Sequence, residues 1–160
     1  MNQKEIDARI ALSREKYEAR KAKQEEESTT RKAGIRFIND NKIQMYTSDV
    51  GNCNLTVGIK HEGITTYLVA YAVKSKKDTF SSKKVKGLIG NRLMKTQEGM
   101  VLYINRPKKL LSDYSFGVYC INKICQIAVE SPETTNSYTL TREIQKLYSK
   151  GYFFLDSMEI

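Results

Sequence analysis

The stretch from Ile64 to Val73 constrains the fold most, because both of its alternating sets of side chains are largely apolar. One set is Thr65, Tyr67, Val69, Tyr71 and Val73, and the other is Ile64, Leu68, Ala70 and Ala72. Successive side chains of a strand point to opposite faces of a sheet. Both faces of this strand therefore need cover, which predicts a central strand packed on both sides.

Shorter apolar runs bounded by turn-forming residues predict further strands. The expected strands are Ile35–Ile38, Ile43–Tyr46, Leu55–Ile59, Met100–Ile104, Tyr114–Ile121 and Ile124–Val129, with a short edge strand at Phe153–Leu155. The expected turns between them are Asn39-Asp40-Asn41, His61-Glu62-Gly63 and the two-residue loop Asn122-Lys123.

Two segments have helical periodicity. The first runs from Ser82 to Lys95, after a plausible N-cap at Ser81 and a hydrophobic staple between Phe80 and Val85. Its expected buried face is Val85, Leu88, Ile89 and Leu93, and its opposite face holds Gly87, Gly90 and Met94. A surface lined by glycine lets another backbone approach closely, either a phosphate strand or a partner helix. The second helix runs from about Thr139 to Lys150, with Leu140, Ile144, Leu147 and Tyr148 inward and Gly151 as its C-cap.

The N-terminal segment from Gln3 to about Glu27 lacks Gly and Pro and is rich in helix-forming residues. It predicts a long charged helix whose apolar stripe of Ile6, Ile10 and Tyr17 is thin. Three roles stay open: a solvated arm, a dimerising or partner-binding helix, and a nucleic-acid-binding helix. Nine basic and seven acidic residues up to Lys32 argue against the third role.

These elements together predict an α+β fold. We expect a mostly antiparallel sheet of about six to seven strands with two packed helices, preceded by the charged helix. Residues 1–33 would form the helical arm and linker, and residues 34–160 a single globular domain.

Positive charge is concentrated between Lys74 and Lys109, where eleven basic residues face two acidic ones. This segment accounts for the whole formal net charge of +9. A localised basic region favours binding to a polyanion or to an acidic protein surface. The candidate binding residues are Lys76, Lys77, Lys83, Lys84, Lys86, Arg92, Lys95, Arg106, Lys108 and Lys109. Lysine outnumbers arginine, which suits sequence-independent phosphate contacts better than base reading.

Motifs for catalysis or for cofactor binding are missing from the sequence. Three cysteines without CxxC spacing and the single histidine, His61, predict free thiols and no metal site. The glycines at 87 and 90 have the spacing of neither a P-loop nor a dinucleotide-binding loop. We therefore expect a protein that is not an enzyme and has no cofactor. The charged first ten residues and the lack of a 20-residue apolar run predict a cytoplasmic protein without a membrane partner.

Residues 70–93 combine an apolar strand, the pattern Asp78-x-Phe80-Ser81-x-Lys83 and a basic helix that reaches Arg92-Leu93. This pattern resembles small, uncharacterised phage accessory proteins. The match covers about 24 residues and departs from the family's early Gly-Arg, where this chain has Val85-Lys86. The resemblance implies a phage or mobile-element origin, and with it the cytoplasm of a host cell.

The sequence thus predicts a non-enzymatic, phage-type accessory protein that binds nucleic acid through residues 74–109, largely independently of sequence. The alternative is a protein-binding inhibitor of a host nucleic-acid enzyme or defence system, comparable to an anti-CRISPR protein. In that case the same lysines face a host nucleic-acid-processing protein. A homodimer through the N-terminal helix is a third hypothesis.

Overall fold

The computed structural model describes residues 2–77, 82–96, 100–110, 112–135 and 137–150. The elements in chain order are α1 (Gln3–Asp40), β1 (Gln44–Val50), β2 (Cys53–His61), β3 (Thr66–Ser75), α2 (Ser82–Lys95), β4 (Val101–Asn105), α3 (Asp113–Glu130) and α4 (Tyr138–Ser149). A 3₁₀ turn at Pro132–Thr134 joins the last two helices. The fold is α+β, as predicted.

In this described part of the chain, four strands form one antiparallel sheet in the order β1-β2-β3-β4. Each strand is joined to its neighbour in sequence order, so the sheet is a meander. Strand β3 pairs with β2 and with β4, and its residues from Leu68 to Ala72 are buried. The prediction of a central strand covered on both faces is confirmed, but Ile64 and Thr65 precede this strand and Ile64 is 96% exposed.

Helices cover both faces of the sheet. The face under α3 and α4 carries the larger apolar cluster, which includes Leu55, Val57, Val69, Tyr71, Phe116, Cys120, Ile124, Leu140 and Ile144. The face under α2 and the end of α1 carries a smaller cluster of Ile38, Ile43, Leu68, Ala70, Ala72, Ile89 and Leu93. The alternating sets of β3 divide between these two clusters as its sequence predicts.

Helix α1 is 38 residues long, or about 57 Å at 1.5 Å per residue. It begins at a capped end, where the Asn2 side chain accepts a hydrogen bond of 2.9 Å from the backbone N–H of Glu5. Residues 2–27 are all exposed, whereas Gly34 and Ile38 are buried. The N-terminal two thirds of α1 therefore extend away from the sheet, and only its C-terminal third packs.

The predicted strand at Ile35–Ile38 is wrong, because these residues belong to α1. The helix also runs through residue 33, where we placed the end of the linker. Its last turn packs Ile38 into the smaller apolar cluster, and the chain then turns at Asn41 and Lys42, the latter with φ of 51°. The Asn39–Asn41 segment is thus the end of a helix and not a hairpin turn.

The predicted strands Tyr114–Ile121 and Ile124–Val129 are also wrong, since both lie within α3. Phe116, Cys120, Ile124 and Ala128 repeat every four residues and are all buried, which is the pattern of one helical face. The loss of these two strands and of the strand at Ile35–Ile38 explains why the expected six to seven strands exceed the four described, and why more than two helices pack on the sheet.

Other predicted elements agree with the structure. Helix α2 begins at Ser82 and ends at Lys95 as predicted, although Leu88, expected inside, is 43% exposed. In α4, Leu140 and Ile144 are buried, while Tyr148, also expected inside, is exposed. The N-cap and staple at Ser81 and Phe80, the C-cap at Gly151 and the edge strand at residues 153–155 lie outside the described residues.

Candidate nucleic-acid interface

The glycine-lined side of α2 packs against the C-terminal third of α1. A Cβ atom placed on Gly90 would lie 2.0 Å from the carbonyl oxygen of Gly34, and one on Gly34 would lie 2.0 Å from the carbonyl oxygen of Gly87. Real side chains do not tolerate such distances, so the two backbones meet closely only because these positions are glycine. The approaching backbone that the glycines predicted is therefore the chain's own N-terminal helix.

Polar contacts fix the same helix pair. The amide nitrogen of Asn91 donates hydrogen bonds of 2.8 Å to the Thr30 carbonyl and 2.9 Å to the Gly87 carbonyl. The ammonium of Lys86 donates a hydrogen bond of 2.8 Å to the Asn39 side chain at the end of α1. Of the predicted binding residues, Lys86 thus contributes to the α1–α2 contact and is partly withdrawn from the surface.

The register of the sheet separates the predicted basic segments into two groups. The N–H of Lys76 donates to the Asn52 carbonyl at the end where β3 finishes, whereas the N–H of Arg106 donates to the Thr65 carbonyl just before β3 begins. These ends of β3 are about 30 Å apart at 3.3 Å per residue. Lys76 and Lys77 therefore lie at the opposite end of the sheet from Lys108 and Lys109.

Both predicted arginines make internal contacts. The Arg92 guanidinium donates to the backbone carbonyl of Tyr71, and burial lowers the pKa of Arg92 from its ordinary value.

The Arg106 guanidinium donates to the Asp113 carboxylate at 3.0 Å and to the Leu110 carbonyl at 3.0 Å. The hydrogen bond to Asp113 raises the pKa of Arg106. Hydrogen bonds from Gln44 and from Arg106 lower the pKa of Asp113. Both arginines join elements of the fold to each other.

The remaining predicted residues are exposed lysines. Lys83 and Lys84 stand in the first turn of α2, and Lys95 in its last turn. Lys76 and Lys77 follow β3 directly, with the Lys76 ammonium 3.9 Å from the Asp49 carboxylate, a long and exposed pair. A partly solvated pair at that distance is weak. Lys76 and Lys77 thus lie at the Ser75 end of the sheet, and Lys83 and Lys84 lie at the start of the helix that follows them in the chain.

An open groove of about 700 Å³ lies between α1 and the start of α2. Its charged lining residues are Lys23, Glu26, Glu27 and Arg31 of α1 and Lys84 of α2, and Gly87 of α2 lies beside them. A Cβ atom on Gly87 would lie 2.6 Å from the Arg31 Cγ, so the Arg31 side chain runs across that glycine. Arg31 also belongs to this surface, although it is not among the binding residues predicted from the sequence, because residues 1–33 are predicted as an arm and linker. If the sequence had been predicted to stay helical through Gly34, Arg31 would have been placed on the helix that packs against α2.

Several aromatic side chains pack within the fold. Tyr71 and Phe116 are buried, and Tyr67 stacks with the His61 ring at a centroid distance of 4.7 Å. Tyr103 and Tyr114 are 65% and 70% exposed, but neither lines the α1–α2 groove. His61 is thus a stacking partner on the sheet and not only a turn residue.

No group of three or more His, Cys, Asp or Glu side chains in the described ranges is arranged to hold a metal ion. Among those same ranges, no helix is both long and apolar enough to span a bilayer. Comparisons with protein-family models, curated proteins and solved structures find no match for this chain. The geometry of the basic surface is therefore the basis for a functional proposal.

Proposed function

We propose that the protein binds nucleic acid, largely independently of sequence, through the basic surface where the start of α2 meets α1. The contacts come from Lys83, Lys84 and Arg31, with Lys76 and Lys77 alongside them. The observation that carries the proposal is that Arg31 and Lys84, 53 positions apart in the chain, line one groove beside Gly87. Two helices thus supply cations to one surface.

The position of these lysines on α2 adds to their attraction for phosphate. Lys83 and Lys84 lie in the first turn of α2, where backbone N–H groups without helical partners and the helix dipole favour an anion. That first turn contains no acidic residue that would compete for the same groups. The lysines therefore reinforce an end of α2 that already favours phosphate.

Salt dependence follows from the number of phosphates contacted. Three to five contacts give a slope of log affinity against log salt of about −3 to −4.5. Lysine ammonium groups on flexible stems contact phosphate as point charges and carry no base-reading geometry. We therefore expect unrelated duplexes to bind with similar affinity.

A pair of charge-matched variants tests the proposal. Lys83→Glu/Lys84→Glu and Lys108→Glu/Lys109→Glu each lower the net charge by four, and the second pair lies at the other end of the sheet. Each lost phosphate contact costs about eight-fold in affinity at 0.1 M salt, so the first variant should weaken binding about 60-fold or more. The second variant should change it less than about three-fold.

Fluorescence anisotropy with a labelled duplex of unrelated sequence measures both variants. Equal weakening by the two would show that only net charge matters, and unchanged affinity of the first would show that the nucleic acid binds elsewhere. Either result would reject the proposed surface. Wild-type protein that ignores nucleic acid but retains an acidic partner protein after nuclease treatment would favour the inhibitor alternative.

A further inference from the structure

We propose that the exposed part of α1 carries a second, linear contact for a nucleic-acid duplex, formed by Arg9, Lys16, Arg20 and Lys23. This inference rests on the proposed function and extends it to the N-terminal arm. These four side chains are exposed, and none takes part in a salt bridge within the described ranges of the chain. They line one face of the helix and lead into the α1–α2 groove, of which Lys23 is a part.

Helical geometry assigns these residues to one face. At about 100° per residue the four positions fall within roughly 60° of one another. Lys16 precedes Gly34 by 18 residues, which is about five complete turns, and Arg20 precedes Ile38 by the same interval. Gly34 and Ile38 face α2 and the sheet. Lys16 and Arg20 therefore point in the direction in which α2 lies further along the helix.

The overall charge of the arm conceals a strong asymmetry between its faces. Among the first 32 residues, the sector within about 40° of the mean direction of Gly34 and Ile38 holds five basic residues and two acidic ones, namely Arg9, Lys16, Arg20, Lys23, Arg31, Glu5 and Glu27. Glu26 lies outside this sector but also lines the α1–α2 groove. The other sides hold four basic and five acidic residues. The mixed composition that argued against nucleic-acid binding is thus an average of a cationic face and a slightly acidic remainder.

The dimensions of this face fit a duplex. From Arg9 to Arg31 the helix rises about 33 Å, close to one turn of B-form DNA. A duplex is stiff over this length and carries phosphates along all of it, so one straight helix can contact it at several points. Single-strand binding relies on aromatic stacking, and the α2-facing side of the arm has no aromatic residue, since Tyr17 lies off this face. The partner we infer is therefore duplex nucleic acid.

A quadruple substitution with a matched control tests the inference in the full chain. The test variant is Arg9→Gln/Lys16→Gln/Arg20→Gln/Lys23→Gln. The control variant, Lys4→Gln/Arg14→Gln/Lys21→Gln/Lys32→Gln, removes the same four charges from the other sides of the same helix. Glutamine keeps helix propensity close to that of lysine and arginine, so circular dichroism at 222 nm should match wild type in both variants.

Anisotropy with a labelled 24-base-pair duplex gives the readout. Loss of two to four contacts should weaken binding by about 60- to 4,000-fold at 0.1 M salt and should make the salt slope shallower by about 1.8 to 3.6. The control should stay within about three-fold of wild type. Equal losses in the two variants, or no loss in the test variant, would overturn the inference while leaving duplex binding itself established. Failure of the wild-type protein to bind the duplex would contradict the proposed function, and the inference with it.

Discussion

Alanine substitution at Gly34 or at Gly90 should destabilise the protein, although the same change in an exposed helix stabilises. Glycine is about 1 kcal/mol worse than alanine within a helix, so propensity alone predicts a gain of about that size. In this structure a Cβ atom on Gly90 would lie 2.0 Å from the Gly34 carbonyl oxygen. The opposing atom belongs to the backbone and cannot rotate away, so the two helices must move apart.

The size of that movement sets the magnitude. Ordinary contact for a Cβ atom begins at 3.4 Å, so the backbones must separate by about 1.4 Å. A gap of 0.5–1 Å already loses a quarter to a half of the dispersion energy of facing atoms. The separation loosens Ile38 from Ile89 and Leu93 in the smaller apolar cluster. Overpacking of this kind costs about 1–3 kcal/mol, and a backbone obstacle favours the upper end. After subtraction of the propensity gain we expect a net loss of about 1–2 kcal/mol.

Urea unfolding followed by circular dichroism measures the change. Gly63→Ala is the control, because its Cβ atom would lie 3.7 Å from the nearest atom, and it should change stability by less than about 0.5 kcal/mol. The double variant Gly34→Ala/Gly90→Ala should cost less than the sum of the single variants, since one separation relieves both contacts. Stabilisation by either single substitution would refute the close α1–α2 contact.

Three further predictions concern other groups. Glu143→Gln should be less stable than wild type above pH 4.5, and the difference should shrink in acid. A hydrogen bond from the Asn52 N–H and the nearby cations Lys146 and Arg142 lower the pKa of the Glu143 carboxyl, so its contribution to stability is lost as it protonates; urea unfolding at several pH values measures this. The buried cysteines should not react with a thiol reagent at pH 8 until the protein unfolds, because burial raises the pKa of Cys53 to about 11 and those of Cys120 and Cys125 to about 12; reaction before unfolding would contradict this. Glu27→Gln should strengthen duplex binding, since Glu27 is a carboxylate that lines the α1–α2 groove between Lys23 and Arg31, and anisotropy would show it.

The strands that were predicted correctly are those in which apolar and polar residues alternate clearly between turn-forming residues. The predicted strand Leu55–Ile59 lies within β2, and the predicted strand Ile64–Val73 overlaps β3. Both have alternating side chains over several residues and are bounded by turn residues. Residues 114–129 were misassigned because β-branched and aromatic residues favour strands, and Asn122-Lys123 looked like a turn. The four-residue spacing from Phe116 to Ala128 was the sequence signal for α3, and packing of this face on the sheet stabilises the helix.

The sequence predicted which charged residues belong to the candidate site, but not how they are arranged in space. The lysines of residues 74–95 and the glycines that admit a second backbone were identified from sequence. That the second backbone is α1 depends on contacts between residues more than 50 positions apart, such as Gly34 with Gly87, for which sequence patterning has no signal. The separation of Lys108 and Lys109 from the other lysines follows from the antiparallel pairing of β3 with β4. A mostly antiparallel sheet is predicted from the sequence, but which strands pair is not.

The most direct test of nucleic-acid binding is the affinity of the wild-type protein for unrelated duplexes as salt is raised from about 50 to 200 mM. We predict similar affinity for every sequence and a slope of log affinity against log salt of about −3 or steeper. Absence of binding at the lowest salt, or binding that does not weaken as salt increases, would contradict it.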